Sequence, residues 1–383
     1  MRRLLFREAP HARPGRSRGA RARPAPPGAG PDPGAARGGG TAGRRMNGLQ
    51  LPEPAPGSWS RGPAGRLRLM LRCAVLDDYQ DVALGLADWS RVRARSLREH
   101  FAGEDDLVAA IHDCEIVVAM RERTPFTAGL FARLPNLRLL ITSGMRNAAI
   151  DLAAAREHGV TVCGTGGSAT PTVELTWALI HGLTRHLPTE AGALRSGGPW
   201  QSTLGADLHG RTLGLLGLGR IGSRVAAVGR AFGMDVVAWS QNLTRERAES
   251  AGARLAPGLD AVLSAADVVS IHLVLGDRTR GLVGARELAL MKPAAYLVNT
   301  SRAAIVDQDA LASALREGRI AGAGLDVFEV EPLPDGHEFR RLPNVLATPH
   351  LGYVTEANYT TYFREAVEDI DAFVAGTPIR LLT

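Results

Sequence analysis

From residue 70 onward, short β-branched runs alternate with stretches whose apolar residues recur every three to four positions. Residues 73–77, 115–119, 137–142 and 160–163 are predicted strands. Between them 104–112 and 127–133 are amphipathic, and Asp151-Leu152-Ala153 opens a further helix. A longer helix follows Pro171 and carries Val173, Leu175, Trp177, Ile180 and Leu183. The alternation then restarts more strongly, with strands expected at 213–216, 235–239, 267–273, 295–299, 321–326 and 345–347. Their nearly continuous apolar character is that of strands covered on both faces. Residues 356–375 form a last helix, with Phe363, Val367, Ile370 and Phe373 at helical spacing. Such alternation predicts an α/β fold with parallel sheets. The chain returns to its first domain at the end.

Composition changes the picture only at the N-terminus. The chain has 383 residues, 45 Lys+Arg and 39 Asp+Glu, with a net charge of +6. Residues 1–69 hold 14 Arg and three acids, so the remaining 314 residues carry 31 basic and 36 acidic groups. The basic balance belongs to the tail. Arg, Gly, Pro and Ala fill 49 of its 69 positions, a composition expected to be disordered. It has three readings: an organelle targeting peptide, a nucleic-acid-binding arm, or upstream DNA read in frame ahead of a start at Met70. The last is favoured, because the chain has a single Lys, Lys292, and all four dominant residues have GC-rich codons. Hence no nucleic-acid partner is expected for the body. No apolar run is long enough for a membrane span. Cys73, Cys114 and Cys163 lie in or beside apolar runs without metal-ligand spacing, so reduced, buried thiols and a cytoplasmic location are expected, with no metal.

The sharpest local motif is Gly217-Leu218-Gly219-Arg220-Ile221-Gly222. It follows one predicted strand, opens an apolar-periodic helix (Val225, Ala226, Val228) and precedes another strand. In that setting Gly-x-Gly-x-x-Gly is a dinucleotide fingerprint. Gly217 permits the tight turn, Gly219 lets the backbone approach a diphosphate, and Gly222 lets helix and strand pack closely. Arg220 and Ile221 complete the turn, where free N–H groups at the helix start meet the phosphates. NAD sites have an acid at the end of the next strand; here Ser240 follows Trp239, with Arg245 and Arg247 beyond. Without the acid a 2′-phosphate is not rejected, and either Arg could pair with one, so NADP is favoured over NAD. Solvated arginines on the next helix are the alternative.

Three polar residues each end a strand-like run further on: Arg302, Glu331 and His350. Strand ends of a doubly wound sheet converge on the cofactor crevice, where such a set could bind a carboxylate and move a proton. The stretches 217–222, 299–307, 324–334 and 349–352 resemble those of the D-isomer-specific 2-hydroxyacid dehydrogenases, and the resemblance extends over 70–383. It implies two Rossmann-like domains. A nucleotide-binding domain, 168–352, is inserted into a discontinuous flavodoxin-like substrate domain of 70–167 plus 353–383.

The resemblance also implies roles. Arg302 binds substrate, Glu331 is the partner carboxylate in preference to Glu329, and His350 is the acid/base. Asp326 stands near the nicotinamide carboxamide, and Thr300 contacts the cofactor through its backbone. Arg121 is a first-domain substrate contact, and Gly144-Met145 belongs to the loop whose amides hold the substrate carboxylate. His272, placed in a strand, is a structural neighbour of the cleft. Ala303 and Ser240 depart from the usual Gly and Asp, and Met145 and Arg146 are larger than the common occupants and would narrow the pocket. The expected activity is reduction of a small 2-keto acid by NAD(P)H, in a homodimer built through the nucleotide domain. A nucleotide-sensing, non-enzymatic corepressor-like member is the other function the resemblance allows.

Overall fold

The computed structural model describes residues 70–382, and the expectations for residues 1–69 lie outside the described residues. Two all-parallel sheets organise the described chain. The first holds β1 (Arg72–Val75), β2 (Arg93–Ser96), β3 (Ile116–Ala119), β4 (Leu139–Thr142) and β5 (Thr161–Gly164), in the order β2-β1-β3-β4-β5. Helices α1 (Ala83–Leu86), α2 (Glu104–Ile111), α3 (Ala128–Ala132) and α4 (Leu152–Glu157) connect these strands. Next come α5 (Thr170–Thr184) and α6 (Leu187–Arg195), which lead to the second sheet.

That sheet holds β6 (Thr212–Leu216), β7 (Asp235–Trp239), β8 (Arg254–Leu255), β9 (Val268–Ile271), β10 (Tyr296–Asn299), β11 (Gly322–Leu325) and β12 (Val345–Ala347). Their order is β12-β11-β10-β9-β6-β7-β8. Helices α7 (Gly222–Ala231), α8 (Arg245–Ser250), α9 (Leu259–Ala265), α10 (Ala285–Leu290) and α11 (Gln308–Arg316) lie between them in sequence, and α12 (Glu356–Val374) ends the chain.

Local chemistry explains several element starts. The Asp151, Asp307 and Thr355 side chains accept from backbone N–H groups three residues on, capping α4, α11 and α12. Helix α12 sends Tyr359, Tyr362, Phe363 and Ile370 into the core of the first sheet, against Cys73, Val75, Val118 and Ile141. Phe363 is fully buried there, and truncation to Ala would cost about 3–5 kcal/mol. Helix α5 packs Val173, Trp177, Ile180 and Leu183 against Leu213 and Val298 of the second sheet.

Two elements are not visible as apolar pattern. Strand β2 is an edge strand of sequence Arg-Ala-Arg-Ser, held by pairing with β1 and by an Arg95–Asp113 ion pair at 2.6 Å. Helix α6 buries none of its residues, so it has no core-facing stripe to read. One placement needs correction: β9 stops at Ile271, and His272 lies just beyond it rather than within the strand.

Both sheets reverse their strand order once, at β1/β3 in the first and at β6/β9 in the second. Parallel α/β sheets open a crevice at the carboxyl ends of such strands. The segments leaving these ends are Asp77–Tyr79 and Arg121–Thr124 on one side, and Gly217–Gly222 and His272 on the other. The three cysteines are buried and free. Among the described residues, no helix is long and apolar enough to cross a membrane.

Candidate active site

The glycine turn has the shape its spacing predicts. Gly217 adopts φ +100°, and a Cβ there would lie 2.7 Å from His272 O. A Cβ on Gly222 would lie 2.1 Å from Gly217 O, so α7 can start this close to β6 only without a side chain. Gly219 differs: it is exposed, and an added Cβ meets nothing of the protein within 4 Å. The turn is thus closed towards the sheet and open towards the crevice, which fits a dinucleotide diphosphate on the start of α7. Ser240 directly follows β7 and is half-buried, while Arg245 and Arg247 are exposed on α8. Thr300 is buried, its hydroxyl 3.0 Å from that of Thr176 on α5.

In the loops that follow β11 and β12 the structure brings Glu331 and His350 together. His350 Nδ1 lies 2.7 Å from Glu331 Oε2. An ionised carboxylate only accepts, so Nδ1 carries the proton and Nε2 is left for a substrate. Glu331 Oε1 accepts from the Phe328 amide at 2.9 Å, which fixes the carboxylate plane. Burial pushes the Glu331 carboxyl up, but the His350 hydrogen bond and charge, with the Phe328 amide, hold it below the ordinary carboxylate range. Glu329, the rival acid, is exposed and not part of this pair.

His350 sits at φ +53°, a left-handed conformation that costs a non-glycine residue energy unless its surroundings impose it. Asp326 imposes it. Its buried carboxylate accepts from Thr348 Oγ1 (2.7 Å), Leu351 N (2.7 Å) and Gly352 N (2.8 Å), clamping both sides of His350. Burial pushes this carboxyl above the ordinary value, opposed by these donors and by the His350 charge. The sequence placed Asp326 beside the cofactor; the geometry makes it the support of the loop that carries His350.

Arg302 follows β10 in a turn locked by Asn299, whose side chain binds Ser301 N and Arg302 O at 3.0 Å each. Its guanidinium donates to Ser301 O (2.8 Å) and, across the cleft, to Glu122 Oε1 (2.6 Å). Glu122 was not among the residues singled out from sequence. Burial pushes its carboxyl up, but the Arg302 and Arg121 charges hold it below the ordinary range. Arg121, at φ +54°, lies 3.8 Å from Glu122 and 5.6 Å from the centre of the Tyr353 ring. That ring meets the His350 imidazole edge-on, with centroids 5.4 Å apart.

The rest of this wall is held by Asp77, which accepts from Thr124 Oγ1 (2.9 Å) and from Tyr79 Oη (3.2 Å). Arg123 lies over the Tyr79 ring at 4.5 Å and donates to Asp77 O. A cavity of about 480 Å³ opens beside Glu331 and His350, walled in part by Tyr79, Arg123, Leu333 and Phe339. Arg302 does not line it. Of this wall the sequence had singled out Arg121 alone.

Other expected residues lie as follows. Gly144 is buried at φ +96°, and its amide donates to Thr165 Oγ1 at 3.1 Å, so it is already engaged. Met145 and Arg146 are exposed. His272 is half-buried, its ring 2.9 Å from Ser270 Oγ, and desolvation pushes its imidazole down to about 4, which keeps it neutral. Among the described residues no group of three His, Cys, Asp or Glu is placed to hold a metal ion.

Comparison with known proteins agrees with this geometry. The family described as D-isomer specific 2-hydroxyacid dehydrogenase, NAD binding domain, matches residues 177–352. A glyoxylate reductase of Aeropyrum pernix is 42% identical over 256 residues, 64% of this chain and 76% of that protein. A D-3-phosphoglycerate dehydrogenase of Bacillus subtilis is 38% identical over 263 residues, 68% of this chain but 50% of that protein, so the chain spans half its length. Among solved structures, a phosphoglycerate oxidoreductase from Vibrio cholerae superposes with a TM-score of 0.77 at 39% identity, covering 80% of this chain and 100% of that one. With the glycine turn, the two switch-point crevices and these relatives in agreement, the chain belongs to the D-isomer specific 2-hydroxyacid dehydrogenase family.

Proposed function

We propose that this oxidoreductase reduces small 2-oxo acids to D-2-hydroxy acids with NADH or NADPH, and catalyses the reverse oxidation. The observation that carries this reading is His350, held by Glu331 on one nitrogen with no partner on the other among the described residues, and linked through Tyr353, Arg121 and Glu122 to Arg302. A bound nicotinamide supplies the hydride that adds to C2 of the acid. The planar fork of Arg302 suits the substrate carboxylate and C2 oxygen. Protonated His350 donates from Nε2 to the developing alkoxide, a contribution of roughly 10²–10⁴ in rate. Glu331 orients the ring and balances its charge, and the Asp326 clamp keeps the ring in place. Arg121 and Met145 are the remaining substrate contacts in this reading, and the Gly144 amide, bound to Thr165, is not one of them.

We further propose residues 70–167 plus 353–383 as the substrate domain and 168–352 as the nucleotide domain. The packing of α12 on the first sheet supports that division. Ser240 in place of an acid supports NADP over NAD, and replacing it with Asp should lower the NADPH/NADH ratio of kcat/KM. The segment from α6 onward presents Trp200 at 80% and Leu204 at 94% exposure, which supports a homodimer through the nucleotide domain. The testing experiment is oxidation of NADH and NADPH with glyoxylate, hydroxypyruvate and phenylpyruvate. Turnover with at least one supports the reading, whereas silence across the panel, with nucleotide still bound, favours a nucleotide sensor.

A further inference from the structure

The cleft wall opposite the glycine turn contains one acid for which the proposed reaction has no use. Glu122 sits at the carboxyl end of β3 between two arginines, and its side chain is 23% exposed. Arg302 donates to its Oε1 at 2.6 Å, and Arg121 Nε lies 3.8 Å from its Oε2. Arg121 Nε and Glu122 Oε2 are both buried and have no hydrogen-bond partner among the described residues. This wall and the Arg302 that reaches it across the cleft therefore bring two guanidiniums and one carboxylate around atoms that still lack partners.

The other charges nearby are matched. Arg123 is stacked on Tyr79, donates to the Asp77 main-chain oxygen and lies within the field of the buried Asp77 carboxylate, while Glu331 faces His350. What remains is one net positive charge. A single carboxylate on Arg302 neutralises it. A second anionic group on the same ligand would lie beside Glu122 in a partly desolvated site, where like charges repel far more strongly than in water.

We propose that Glu122 is a specificity-determining residue, whose carboxylate holds the Arg121–Arg302 pair at one net positive charge so that the cleft takes singly charged 2-oxo acids and rejects doubly charged ones. This rests on the 2-oxo acid reading above and deepens it. Dicarboxylic and phosphorylated 2-oxo acids are the excluded class.

Oxamate and oxalate test the idea, since they are nearly the same shape and differ by one charge at neutral pH. Their Kd values are measured by calorimetry on the NADH-loaded enzyme. The wild type should bind oxamate the more tightly. Glu122→Gln keeps the size and can still accept from Arg302, yet should shift the preference towards oxalate by at least about tenfold. Glu122→Asp should restore it. A purely structural role would weaken both ligands alike, and an unmoved ratio in Glu122→Gln overturns the proposal. Tighter oxalate binding by the wild type overturns it without any variant, so a poorly folding mutant does not block the test. Failure of the wild type to bind either ligand or to reduce any 2-oxo acid would instead refute the functional reading beneath it.

Discussion

The two walls of the cleft are built on different principles. The nucleotide wall is made of backbone: Gly217, Gly219 and Gly222 are needed for what they lack, and six consecutive residues define it. The substrate wall is made of side chains from distant places, with Asp77, Arg121, Glu122, Tyr353, Arg302 and His350 meeting through ion pairs and ring contacts. Three of these, Asp77, Arg121 and His350, sit at positive φ without being glycine. Such conformations persist only where the surroundings impose them. At Gly217 and Gly222 the wall of backbone leaves no room for an added atom, whereas a wall of side chains can be retuned residue by residue.

Substitutions should follow that contrast. Gly222→Val should have the largest effect, because its side chain would start 2.1 Å from Gly217 O and neither backbone segment can move aside. Loss of NADH and NADPH binding at millimolar nucleotide, read by fluorescence, is the expected result. Arg302→Ala should lower kcat/KM for the 2-oxo acid by about 10²–10³-fold, the effect of truncating one partner of a hydrogen-bonded charge pair. It should leave nucleotide Kd unchanged, and a large change there would erase the distinction between the walls. Gly219→Ala should be milder: the Cβ meets no protein atom, so Tm should hold while nucleotide KM rises about tenfold.

The smallest effect lies away from both walls. Burial pushes the Asp369 carboxyl up to about 7, against the charge of its partner Arg380. The unfolded side chain titrates near ~3.9, so between the two values the folded state holds a proton that the unfolded state has lost. Stability from this group therefore declines as pH rises from about 4 to about 7. Asp369→Asn should flatten that decline in a series of melting curves while catalysis at the cleft is unaffected.

How far the sequence could be read follows the same division. The glycine turn was legible because its chemistry is local, and Arg302, Glu331 and His350 because each follows an apolar strand-like run, although β11 itself stops at Leu325, six residues before Glu331. Glu122 was not, since its role depends on an arginine 180 residues away. Asp326 was visible but not as a clamp, because three donors from 348–352 converge on it only after folding. Strand β2 carries arginines where a strand pattern expects apolar residues, and α6 has no buried face.

The central claim is that His350 protonates the alkoxide formed as hydride reaches C2. Single-turnover transfer from C4-deuterated NADH or NADPH to a turned-over 2-oxo acid tests it directly, wild type against His350→Ala. Deuterium should appear at C2 of the hydroxy acid, with transfer at least about 10²-fold slower in the variant at unchanged nucleotide Kd. Deuterium absent from C2, or a variant that transfers at the wild-type rate, would contradict it.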